Sequence, residues 1–99
     1  MWKRKEKITN KGNTVEISKK DVTTKEELPG ATLIVKDEKG KQIDKWVSTK
    51  EVHVIKNLKA GKYTLTEIQA PQGYKLSEET VEFTVKEDGS ITEVVMYNT

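Results

Sequence analysis

Apolar residues recur at alternate positions along most of the chain, with β-branched and aromatic side chains at the apolar positions and turn residues between the runs. That pattern predicts strands and argues against helices. The first run is Thr14 to Lys20, with Val15, Ile17 and Lys19 on one face and Glu16, Ser18 and Lys20 on the other. Val22 to Pro29 reads as a polar connection. Ala31 to Lys36 is a second strand that turns through Asp37-Glu38-Lys39-Gly40 into a third, Gln42 to Ser48, with Gly40 supplying the positive φ of the turn. Val52 to Ile55 makes a fourth, and Leu58 to Gly61 leads into Lys62 to Gln69, where Tyr63, Leu65 and Glu67 share one face. Ala70 to Tyr74 must be a loop, because Pro71 cannot donate to a ladder and Gly73 favours a turn. Val81, Phe83 and Val85 line a sixth strand, Asp88-Gly89 signals a hairpin, and Ile91 to Asn98 is the last strand. This final run is apolar on both faces, so alternation leaves the direction of Asn98 open.

About seven short strands at spacings near ten residues predict an all-β sandwich. Ninety-nine residues suffice for one domain and one core but not for a second lobe across a cleft. The domain is expected over residues 14–99. Residues 1–13 form an N-terminal extension, either an appended non-native tail, as Trp2 among lysines would fit, or an added edge segment. Eighteen basic against sixteen acidic residues leave a net charge of +2, with the signs interspersed along the chain. That is the pattern of a solvated surface, and only Met1 to Lys7 resembles a basic arm, so no nucleic-acid partner is expected. No apolar run reaches the length of a membrane helix and Met1 to Asn10 lacks a signal-peptide core, so no membrane partner is expected and any export signal or anchor would lie elsewhere. With no cysteine, disulfides, thiolate metal sites and a cysteine nucleophile are excluded. A secreted domain of this size would need some other staple.

Three polar residues sit where the pattern calls for core. Lys19 follows Val15 and Ile17, Glu67 follows Tyr63 and Leu65, and Asn98 ends the last strand. Burying an amine, a carboxyl group and an amide separately would cost several kcal/mol each, so buried copies demand partners. If the first and last strands lie side by side, the three can meet. Loss of water disfavours charge on both amine and acid, leaving Lys19 a neutral nucleophile and a proton on Glu67. The acid would hydrogen-bond to the Asn98 amide oxygen, polarise its carbonyl and pass a proton to departing ammonia. A fixed near-attack geometry removes roughly 7 to 11 kcal/mol of the barrier to such aminolysis. A simpler arrangement accommodates the same residues: Lys19 reaching out to the sheet edge, Glu67 pairing with it at the rim, and Asn98 ending a strand.

The stretch Leu58-Lys59-Ala60-Gly61-Lys62-Tyr63, continuing to Glu67-Ile68-Gln69-Ala70-Pro71-Gln72-Gly73-Tyr74, resembles the L-x-x-G-x-Y and E-x-x-A-P-x-G-Y signature of the CnaB, or SpaA-type prealbumin-like, domains of Gram-positive adhesins and pilins. Ile17-Ser18-Lys19-Lys20-Asp21 is similar to that family's first strand, Leu28-Pro29-Gly30-Ala31-Thr32 to its approach to the second, and Tyr97-Asn98-Thr99 to its closing strand. The resemblance covers Val15 to Thr99. It implies an immunoglobulin-like (prealbumin-like) sandwich in which Lys19 is the bond-forming amine, Glu67 the catalytic acid and Asn98 the acceptor of an intramolecular isopeptide bond. Some members carry aspartate at the last position and release water where asparagine releases ammonia. The implied role is a stalk or spacer of a surface protein anchored to a Gram-positive cell wall, monomeric and flanked by neighbouring domains. It is not a turnover enzyme, and no cofactor or metal is expected. The alternative is an adhesive module that binds a host extracellular protein through its sandwich surface, without a covalent link.

Of the remaining candidates, His53 has no serine or acid at a spacing that suggests a triad or metal site and is expected at the surface. Trp46, Tyr63, Tyr74 and Phe83 are expected to pack the core and hairpins, since no convergent polar groups accompany them. Asp37, Glu38 and Asp88 lie near hairpin glycines without the spacing of a calcium loop.

Overall fold

The computed structural model describes residues 13–99. Apart from Asn13, the extension expected over residues 1–13 lies outside the described residues. Seven strands follow the alternation of the sequence: β1 (Thr14–Asp21), β2 (Thr32–Asp37), β3 (Gln42–Val47), β4 (His53–Lys56), β5 (Gly61–Gln69), β6 (Thr80–Val85) and β7 (Ile91–Asn98). They form an all-β sandwich in which a three-stranded sheet, ordered β4-β1-β7, faces a four-stranded sheet, ordered β3-β2-β5-β6. Each boundary falls within a residue of the expected one; β1 runs on to Asp21, and β4 occupies His53–Lys56 in place of Val52 to Ile55.

The core is the set of inward residues from both sheets. Val15 and Ile17 from β1, with Val94 and Met96 from β7, meet Leu33 and Val35 from β2, Tyr63 and Leu65 from β5, and Phe83 and Val85 from β6. Tyr63 and Phe83 stack at 5.7 Å between ring centroids, so these two rings are core packing. The β2–β3 hairpin closes as expected: Gly40 has φ +83°, and Asp37 accepts the backbone N–H groups of Lys39 and Lys41 at 2.9 Å each. Its side chain thus supplies the turn's missing acceptors.

Asp88-Gly89 does form a turn, with Gly89 at φ +77°. The strands that flank it do not pair, however. β6 ends the four-stranded sheet, whereas β7 joins the other sheet beside β1. Turn residues act locally, and the partner of the following strand is set by where its apolar face is buried.

The pairing of β1 with β7 is parallel and spans the full length of both strands, from Thr14 opposite Ile91 to Asp21 opposite Asn98. Parallel neighbours cannot be joined by a short turn, and here everything between β1 and β7 makes the connection. Within that register Val94, Met96 and Asn98 point inward, and Val95 and Tyr97 point out. β1 settles the direction that alternation left open.

The core residue Leu65 has no exposed surface. Leu65→Ala should lower the free energy of unfolding by about 2 to 5 kcal/mol, the range for a buried leucine truncated in a packed interior. Chemical denaturation read by circular dichroism checks this, and a loss well under 1 kcal/mol would mean the two sheets are not closely packed there.

Candidate functional site

Alternation along β1 that buries Val15 and Ile17 carries Lys19 into the same layer, and alternation along β5 that buries Tyr63 and Leu65 carries Glu67 inward from the facing sheet. β7 brings Asn98 to the same place. Lys19, Glu67 and Asn98 are 2, 3 and 2 % exposed, so the arrangement with a lysine at the sheet rim is excluded. Lys20, the adjacent amine, takes the opposite face of β1. The pairing of β5 with β2 shifts register immediately beyond Glu67, where Leu33 opposes Glu67 but Thr32 opposes Gln69. Such a bulge ends the strict alternation and releases the chain toward the following loop.

The Glu67 carboxyl group is the centre of the cluster. Its Oε1 faces Lys19 Nζ at 3.5 Å, and its Oε2 accepts a hydrogen bond from Asn98 Nδ2 at 3.0 Å. Oε2 also accepts the backbone N–H of Ser77 at 2.7 Å. Lys19 Nζ donates to the Met96 carbonyl at 3.4 Å, directly across the β1–β7 register. Asn98 Nδ2 donates a second bond, to the Lys75 carbonyl, at 2.8 Å. Two buried acceptors, Glu67 Oε1 and Asn98 Oδ1, have no hydrogen-bond partner.

One feature differs from the expected arrangement. The amide nitrogen of Asn98, not its oxygen, faces Glu67. The reason is the Lys75 carbonyl, which can only accept: rotating the amide by half a turn would set oxygen against oxygen. The amide nitrogen, rather than the carbonyl oxygen, is therefore held on Glu67.

Burial pushes the Lys19 amine below its ordinary value of 10.5, against the opposing pull of the nearby Glu67 carboxylate. A lowered pKa enlarges the neutral, nucleophilic fraction of the amine. The cluster therefore holds an amine biased toward nucleophilicity, an acid–base group between amine and amide, and a carboxamide whose nitrogen is aimed at that group.

Lys75 and Ser77 were not candidates in the sequence. Both act through backbone atoms in a loop without periodicity, and no residue type announces such a contact. His53, expected at the surface, is only partly exposed. It stacks on Trp46 at 3.8 Å between centroids and bonds through Nε2 to Asp44 Oδ2 at 2.8 Å. Asp44 and Trp46 lie on β3 and His53 on β4, in different sheets, so their spacing in sequence carried no signal. Among the described residues, no three His, Cys, Asp or Glu side chains converge to hold a metal ion. An open groove lined by Lys36, Asp37, Lys62 and Glu82 lies toward the other end of β5 from Glu67 and includes none of the three residues.

A two-sheet all-β sandwich with this strand order and buried polar cluster defines an immunoglobulin-like, prealbumin-like domain. The profile of the SpaA prealbumin-like fold domain matches residues 13–99, and the chain belongs to that family. Among solved structures it is similar to the Bacillus anthracis TIE protein, with 37 % identity and a TM-score of 0.77 over 88 % of this chain and 17 % of that one. It is also similar to the T6 backbone pilin of serotype M6 Streptococcus pyogenes, with 32 % identity and a TM-score of 0.66 over 74 % of this chain and 16 % of that one. BcpA, the major pilin subunit of Bacillus cereus, shares the fold at 24 % identity and a TM-score of 0.76, over 88 % of this chain and 28 % of that one. The chain thus spans less than a third of each of these proteins. A search of curated protein sequences finds no match.

The lowered Lys19 value has a consequence for stability. In an Asn98→Ala chain, which lacks the acceptor amide, the unfolded state binds more protons than the folded one between the depressed folded pKa and 10.5. Stability should therefore rise with pH across that window. Urea titrations at increasing pH should show this rise in Asn98→Ala and a flatter dependence in Asn98→Ala/Lys19→Met. Equal slopes would assign the effect to other groups.

Proposed function

We propose that this domain is a load-bearing spacer of a larger Gram-positive surface protein, an adhesin or pilin, which staples itself by a self-catalysed isopeptide bond between Lys19 and Asn98 with Glu67 as the acid–base catalyst. The observation that carries the reading is the single buried carboxyl group whose two oxygens face the amine on one side and the amide nitrogen on the other.

The chemistry balances with no outside reactant. The Lys19 ammonium passes one proton to Glu67 and attacks Asn98 Cγ as a neutral amine. Glu67 delivers that proton to the amide nitrogen it already holds, and the C–N bond of the carboxamide breaks. The attacking nitrogen gives up a second proton to the same carboxylate, leaving a secondary amide. One proton departs with the nitrogen as ammonia and the other stays on Glu67, which ends as the neutral acid. The change replaces a buried ion pair by a neutral amide and a neutral acid, which relieves the desolvation cost of the starting state. The bond forms once per molecule and the product stays on the chain, so this is not turnover.

The topology supports the mechanical role. β1 and β7 are parallel neighbours, so tension on the two ends of the domain shears one strand along the other. A link from Lys19 to Asn98 would pass the load directly from β1 to the end of β7, and the chain between them would carry none. The residues are 79 positions apart, and loop closure alone would add about 4 to 5 kcal/mol. Similarity to part of a backbone pilin supports placement at the cell surface, anchored to the wall through a parent protein with neighbouring domains. The exposed Val54, Ile91, Val95 and Tyr97 on the strands of the three-stranded sheet support a second role, adhesion to a host extracellular protein. Retention on immobilised host matrix proteins that Val95→Asp abolishes would establish that role, and no retention would leave the spacer alone.

The intact mass of the denatured wild-type chain should be lower than its sequence requires by one ammonia, and that of Glu67→Ala should be the full value. Full mass in both would reduce the three residues to a structural polar cluster.

A further inference from the structure

The loop between β5 and β6 supplies two of the contacts that aim the cluster, the Lys75 carbonyl on Asn98 and the Ser77 N–H on Glu67. Neither atom is held in place by a sheet ladder. What fixes the loop is a set of contacts at its base and its turn. Pro71 is buried beside Gly30, where an added β-carbon would make an ordinary contact at 3.7 Å from Pro71 Cβ. Gly73 has φ +87°, and the Tyr74 N–H bonds to the Pro71 carbonyl at 3.1 Å, so the chain reverses there. The Lys75 N–H bonds to the Thr99 carbonyl at 3.2 Å. The Tyr74 side chain reaches the facing sheet as well: its hydroxyl donates to Asp21 Oδ2 at 2.6 Å.

Asp21 is well placed to receive it. It ends β1 two residues after Lys19 and lies opposite Asn98 in the parallel register. Its other oxygen accepts the N–H groups of Thr23 and Thr24 at 2.7 and 2.9 Å, which locks the side chain's rotamer. The Tyr74 hydroxyl and those two N–H groups hold the Asp21 carboxyl below the usual carboxylate range, as expected of an ionised acceptor. The Tyr74 bond is thus charge-assisted and short.

Building on the cross-linking reading, we infer that Tyr74 is a positioning residue for isopeptide formation: its bond to Asp21 latches the loop across the end of β1 and β7, so that Lys75 and Ser77 orient the amide and the acid. Tyr74 touches neither reacting atom. It acts through the backbone of the residue next to it and of Ser77. Loss of the latch leaves the three site residues present but frees the amide to rotate and the carboxyl group to turn, and a loss of near-attack geometry of this kind slows a reaction by about ten- to a hundredfold.

Timed cell-free synthesis tests this, with the fraction of denatured chains lighter by one ammonia followed by mass spectrometry. Far-ultraviolet circular dichroism confirms folding of each variant. Tyr74→Phe should cross-link about ten- to a hundredfold more slowly than wild type. Asp21→Ala removes the same contact from β1 and should also slow the reaction, which covers the case in which Tyr74→Phe fails to fold. Asp21→Asn, whose carboxamide can still meet the hydroxyl, should restore most of the rate. In an Asn98→Ala background, where no bond can form, Tyr74→Phe should speed hydrogen exchange at the Ser77 amide. A wild type that loses ammonia and a folded Tyr74→Phe that does so equally fast would overturn the latch and leave the cross-link standing. A wild type that never loses ammonia would overturn both.

Discussion

A lysine amine with almost no access to water is the constraint on which the rest of this structure depends. An isolated ammonium in such a place would cost far more than the margin by which a small domain is stable. It persists because Glu67 reaches it from the facing sheet and Met96 offers a carbonyl from the neighbouring strand. Both contacts are long, at 3.5 and 3.4 Å, and among the described residues neither Glu67 Oε1 nor Asn98 Oδ1 has a hydrogen-bond partner. A buried polar network left partly satisfied is a poor way to stabilise a fold. It would be a good way to hold reactants, because forming an amide would remove the charge, and with it the cost.

The topology makes that meeting possible. Lys19 and Asn98 come from strands near opposite ends of the described chain, and only the parallel β1–β7 ladder sets them in one layer. The same ladder puts the two strands in shear when the ends are pulled, so the pairing that assembles the cluster also determines what a bond there would resist. Glu67 belongs to the other sheet, and the cluster cannot form until the sheets have packed. Chemistry would then follow folding and could not trap a misfolded chain.

The fold class was legible because alternation is a local property: Val15, Ile17 and Lys19, and Tyr63, Leu65 and Glu67, declare their shared faces without reference to the rest of the molecule. Signature residues from Leu58 to Tyr74 added the family. What sequence could not supply was non-local. Asn98 lies on a strand apolar on both faces, and only its register with β1 decides its direction. Asp88-Gly89 has the chemistry of a hairpin turn, yet the chain uses it to change sheets. His53 finds Asp44 and Trp46 across the sandwich. The Lys75 carbonyl reverses the amide orientation that reasoning from the three side chains alone suggests, since a backbone acceptor in a loop leaves no trace in residue type.

The central claim is a specific covalent bond, so the most direct measurement is proteolysis of the denatured wild-type protein followed by fragmentation of the resulting peptides by tandem mass spectrometry. The account predicts a branched species in which the peptide carrying Lys19 is joined through its side chain to the peptide carrying Asn98, with one ammonia missing from the pair. Recovery of both peptides unlinked and at full mass would contradict it.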